Sequence, residues 1–113
     1  MALTAAQIVS LQVAAYNNRD LEVNMALFCD DCKIINFPGG NVLVNGKASC
    51  REMYTHLFAN SPKLFAEIIN RIDFGNKVLL HECIHGRNGS DEKLEQVIII
   101  EINDELITTI YKL

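Results

Sequence analysis

KVLLHECIHGR, residues 77–87, holds a histidine, a glutamate and a second histidine four positions on, the order found in zinc-protease helices. On a helix His81 and His85 would share a face ~6 Å apart and could grip one metal ion. The neighbouring residues argue for a strand instead. The run is aliphatic and β-branched, lies between Gly75-Asn76 and Asn88-Gly89, and has the length of one strand in a meander. On a strand the two imidazoles point the same way but stand ~13 Å apart, beyond the reach of one zinc. Glu82 points to the opposite face. No catalytic zinc is expected on this pair, and no metal or cofactor elsewhere.

Working outward, the same strand signature recurs on both sides. KLFAEIINRIDF (63–74), EKLEQVIIIEI (92–102) and ELITTIYKL (105–113) are joined to it by GN, NGSD and ND, the short connections that set consecutive strands antiparallel. The first half reads differently. Thr4 can cap a helix whose apolar positions follow a 3.6-residue spacing up to Tyr16, and Asp20 can cap a short second helix with Leu21, Met25 and Phe28 inward. CKIINF (32–37) and NVLVNG (41–46) read as short strands around PGG, and KASCREMYTHLFANSP (47–62) as a third helix stopped by Asn60 and Pro62. Helices followed by a meander give an α+β fold, with three helices of the N-terminal half packed on a curved, mostly antiparallel sheet.

A chain of 113 residues, half of them apolar, suits one domain spanning 1–113. Its formal charge of −4, with both signs interspersed, gives no basic face for nucleic acid or anionic lipid. No apolar run reaches the ~20 residues of a bilayer span, and MALTAAQIVS lacks a basic leader, so a cytoplasmic protein without membrane contact is expected. In such a compartment Cys29, Cys32, Cys50 and Cys83 read as small apolar side chains. CDDC (29–32) has redox spacing, but Asp30 and Asp31 oppose a thiolate and the segment ends a helical pattern.

The order of elements resembles the nuclear-transport-factor-2-like superfamily, in its SnoaL-like and ketosteroid-isomerase-like branch. AAYNNRDLEVNMALFCDDCKIINFPGG (14–40), NGKASCREMY (45–54) and the terminal hairpin carry the resemblance, which covers nearly the whole chain. It implies a cone-shaped α+β barrel around an apolar pocket, lined by Gln12, Tyr16, Phe28, Asn36, Met53, Tyr54, Phe58, His81 and Cys83. It also implies a carboxylate base at the end of the first strand, a helical tyrosine and a second strand donor. Here those positions carry Asn36, Gln12 and Ile98, while Tyr54 keeps a supporting tyrosine. An amide cannot abstract a proton and an isoleucine cannot donate a hydrogen bond, so that steroid-isomerising set is missing.

Among these residues His81 is the one that exchanges a proton near neutral pH, with Asn36 and Tyr54 placed to orient a substrate. Gln12, Tyr16, Phe28, Met53, Phe58 and Cys83 would then form a ligand-binding wall. Two functions follow: a protein that binds, isomerises or dehydrates a small apolar molecule, or a non-catalytic dimeric module whose cone is filled by its own side chains. A homodimer through the outer face of the sheet is expected in either case. Val97 and Ile99 alternate with Ile98 and Ile100, so both faces of that strand are apolar, and Ile107, Tyr111 and Leu113 are read opposite Leu106 and Ile110.

Overall fold

The computed structural model describes residues 2–113. The chain opens with α1 (Ala5–Asn17) and α2 (Leu21–Ala26). Thr4 Oγ1 accepts the Gln7 N–H while Gln7 Oε1 accepts the Thr4 N–H, a reciprocal cap that satisfies two otherwise orphaned donors. Asp20 caps α2 through the Val23 N–H.

β1 (Phe28–Asn36) and β2 (Val42–Asn45) form an antiparallel pair, α3 (Lys47–Ala59) follows, and β3 (Phe65–Phe74), β4 (Lys77–His85), β5 (Leu94–Asn103) and β6 (Leu106–Lys112) complete a meander. A short 3₁₀ turn, Arg87–Gly89, sits between β4 and β5. The six strands make one sheet in the order β2-β1-β6-β5-β4-β3, antiparallel except where β1 meets β6. The expected α+β architecture holds, but the sheet does not close into a barrel: β2 and β3 remain its two edges.

The helices cover one face, here called inner, and polar clamps fix them there. Asn17 exchanges both amide bonds with Ala66 of β3, at 2.8 and 3.3 Å. Arg71 of β3 reaches across to Ala6 O and Ser10 Oγ, tying down the start of α1, and pairs with Asp73. Between helices and sheet lie Ile8, Met25, Phe28, Leu80, Ile84, Ile100 and Ile107, all essentially sealed from solvent.

Two local readings change. β1 begins at Phe28, so Phe28 and the CDDC run belong to a strand rather than to the end of α2. Pairing with β6 takes hold at Phe28 opposite Ile107, and this tertiary ladder overrides the local helical spacing. Ile107 is fully buried on the inner face with Ile110, rather than outside with Tyr111. A register shift between Glu101 and Ile102 puts one extra residue into β6, reversing the alternation at that point.

Candidate functional site

The face that β4 presents to the helices decides which groups can act together. Val78, Leu80, Glu82 and Ile84 are buried, while Leu79, His81, Cys83 and His85 lie on the outer, partly exposed side. β4 is a strand throughout, so His81 and His85 do not form the helical metal grip of a zinc protease. The face assignment corrects the pocket positions read for His81 and Cys83. His81 lies between Asn70 and Glu95 on the outer surface, its Nδ1 3.0 Å from the Asn70 amide nitrogen and its Nε2 against the Glu95 carboxylate. His85 faces Glu67 on the same side.

A cavity of about 380 Å³ opens between α1, α3 and the inner face of the sheet. Its apolar wall includes Val13, Ile34, Met53, Leu57, Ile98 and Ile110, and its polar end gathers Tyr16, Glu82, Arg87, Gln96 and Lys112. His56 lies in its lining as well. Of the expected positions, Gln12, Tyr16, Met53 and Tyr54 do line it. Phe28 and Phe58 stand behind the wall, packed on Tyr54 with ring centroids 5.8 and 5.6 Å away. Asn36 ends β1 beside Lys112, outside the lining, with its backbone N–H bonded to Asn41 O. Gln12 has one amide donor committed to the buried Asn24, at 3.0 Å.

Glu82, Arg87, Gln96 and Lys112 are absent from the positions expected on sequence. Of these, Glu82 is the acid. It is 5 % exposed and receives a 2.7 Å hydrogen bond from Gln96 Nε2, its direct cross-strand neighbour on β5. Burial raises its pKa above the ordinary carboxylate value, and the Gln96 bond and the Arg87 charge pull it part of the way back. Burial likewise pushes the Tyr16 hydroxyl up, against the opposing pull of Arg87, and raises Tyr54 further still. The Lys112 ammonium is held below the ordinary lysine value by burial and by Arg87.

The position of Arg87 follows from the turn after β4. Gly86 adopts φ +74, and a Cβ there would stand 2.5 Å from Lys63 O, so only glycine lets the chain fold this closely over the end of α3. Asn88 N–H then donates to the fully buried Ser61 Oγ, at 2.8 Å. Pinned on both sides, the turn brings Arg87 to the cavity.

Tyr16 Oη, Arg87 Nε and Gln96 Oε1 are buried and make no well-formed hydrogen bond among the described residues, although the Arg87 side chain lies close enough to Tyr16 to lower its pKa, and all three residues line this cavity. Buried polar groups are nearly always paired, at a cost of ~1–3 kcal/mol each when they are not. Two donor groups and one acceptor thus border one space.

The cysteines of CDDC build no such site. The Cys32 thiol donates a hydrogen bond to Cys50 Sγ at 3.3 Å within the core, and burial pushes the Cys50 thiol up to about 12.

Comparison with known proteins agrees with this architecture. A structure of an uncharacterised cystatin-fold protein from Novosphingobium aromaticivorans superposes with a TM-score of 0.88 at 23% identity, over 99% of each chain. A protein with a ketosteroid isomerase-like fold from Catenulispora acidiphila, solved in complex with trimethylamine, gives 0.73 at 16% identity, over 95% of this chain and 84% of that one. A putative polyketide cyclase from Sinorhizobium meliloti gives 0.77 at 16% identity, over 94% and 93%. These likenesses establish the shared fold. No curated protein matches the sequence. The SnoaL-like domain model matches residues 9–110, nearly the full length, and the chain therefore belongs to the SnoaL-like domain family.

Proposed function

We propose that the protein binds a small, largely apolar molecule through an acidic head group and transfers a proton on it, in an isomerase- or cyclase-type reaction. The observation that carries this reading is the convergence of three unpartnered polar atoms, from Tyr16, Arg87 and Gln96, on one cavity beside a buried carboxyl. The volume, about 380 Å³, falls in the ~300–1,000 Å³ range of small-molecule sites. It speaks against a cone filled by its own side chains.

Charge selects the head group. Arg87 and Lys112 face one buried acid, Glu82, so a carboxylate or enolate would complete the balance. Arg87 Nε and Tyr16 Oη would donate to it, and Gln96 Oε1 would accept a ligand hydroxyl. Glu82 takes the role read for His81, because it is the carboxyl on the cavity side and burial tunes it toward general-base work. It would accept a proton from carbon next to a carbonyl, Arg87 and Tyr16 would steady the resulting enolate, and Glu82 would return the proton to the rearranged product. Tyr54 and Met53 would hold the apolar body; the cytoplasm suits a protein with four free thiols.

Fluorescence titration with 3-hydroxy-2-naphthoate, set against naphthalene, tests the reading. Saturable binding of the acid is expected, weakened ~10–100-fold in Arg87→Met because a hydrogen bond to a charged group is lost. Equal binding of both compounds, or no change in Arg87→Met, would refute it.

A second proposal concerns assembly. Ile72, Leu79, Ile99, Tyr111 and Ile35 are cross-strand partners in sequence from β3 through β4, β5 and β6 to β1. This apolar row crosses five strands on the face away from the helices. We infer that two copies pair through it, since an apolar band of this kind favours burial and a two-fold pairing closes it.

A further inference from the structure

We propose that Glu67, Cys83 and His85 form a zinc-type metal site on the outer face of the sheet, separate from the cavity. A glutamate oxygen, the cysteine sulfur and a histidine nitrogen lie within 4.8 Å of one another there. The arrangement follows from strand register. Glu67 is the direct cross-strand partner of Cys83, and His85 lies two residues further along β4 on the same face. His85 Nε2 is already 3.1 Å from Glu67 Oε1, and its ring rests against Phe65, its own cross-strand partner, with centroids 6.3 Å apart.

A tetrahedral ion with bonds of ~2.0–2.3 Å holds its ligand atoms roughly 3.3–3.7 Å from one another. The three groups therefore need to close by at most ~1.5 Å, within reach of side-chain rotation on a fixed backbone. The donor set also selects the ion. One thiolate and one carboxylate neutralise a divalent charge, a neutral imidazole adds nitrogen, and this mixture of soft and harder ligands suits zinc or cobalt rather than calcium or magnesium. Three protein ligands leave the fourth position to water. On binding, the Cys83 thiol proton passes to solvent and a metal–sulfur bond forms.

The expectation of no zinc at HECIH rests on His81 and His85 standing too far apart on a strand. His85 finds its partners instead at its near neighbour Cys83 and across the ladder at Glu67. Leu79, in the apolar row, is four residues from Cys83, ~13 Å along the strand, so the ion would sit toward the other end of β4 from the row.

Cobalt(II) titration of chelator-stripped, tag-free protein tests the site, followed by displacement with zinc. One equivalent per chain is expected, with the near-ultraviolet absorption of a cobalt–thiolate bond. Cys83→Ser should abolish that band, and His85→Ala should weaken binding by about tenfold or more. Cys29→Ser should leave both unchanged. All three ligands are at least partly exposed, so their replacement leaves the core intact. Absence of the band, its persistence in Cys83→Ser, or its loss in Cys29→Ser would overturn the assignment.

Discussion

Glu82 spends part of the protein's stability on holding a carboxyl out of water. Because burial raises its pKa, the folded chain keeps the proton over a range where the unfolded chain has released it. Stability from this group is therefore greatest in acid and falls as pH rises from the ordinary carboxylate range through the raised value. Urea midpoints measured from acid to neutral pH should fall over that window in the wild type and fall less in Glu82→Gln. Identical profiles would show that the carboxyl is not desolvated. The group was open to detection in the sequence: in VLLHECIH (78–85) the even-numbered positions hold valine, leucine and isoleucine around Glu82, whereas the odd-numbered ones hold a leucine, both histidines and a cysteine. Apolar alternation alone puts Glu82 inward. The family resemblance pointed to His81 and Cys83, and a one-residue change of face moves every side chain to the other side.

At the level of elements, the turn after β4 determines whether Arg87 reaches the cavity. Gly86→Ala would force a side chain into Lys63 O and strain a left-handed residue, at a cost of order 1–3 kcal/mol for the backbone alone. Thermal unfolding should show that loss, and 3-hydroxy-2-naphthoate binding should weaken with it; an unchanged midpoint would contradict the packing described. Helix caps at Thr4 and Asp20, the stop at Asn60 and the hairpin joints were legible because each depends on a few adjacent residues. The start of β1 at Phe28 and the extra residue in β6 were not. The first arises from pairing with a strand some eighty positions away, which leaves no local trace, and the second is a bulge within the β5–β6 hairpin, which the alternation of side chains does not signal.

On the scale of the whole molecule, the outer face and the cavity make separate demands. Sedimentation at micromolar concentration should report two chains, and Ile99→Glu, in the middle of the apolar row, should give monomer or insoluble protein. A wild-type monomer across that range would refute the pairing. The first-strand base position holds Asn36, outside the cavity lining, and Glu82 enters from a different strand, which also sets an expectation for chemistry. Turnover of a 5-ene-3-ketosteroid should stay near the buffer rate; rapid turnover abolished by Asn36→Ala would contradict this geometry. The polar end of the cavity is the point on which the functional reading depends, and a crystal structure with 3-hydroxy-2-naphthoate tests it most directly. The carboxylate should lie within hydrogen-bond distance of Arg87 Nε and Tyr16 Oη, with the hydroxyl on Gln96 Oε1. A cavity closed by collapsed side chains, or a ligand bound with its head group away from these atoms, would contradict it.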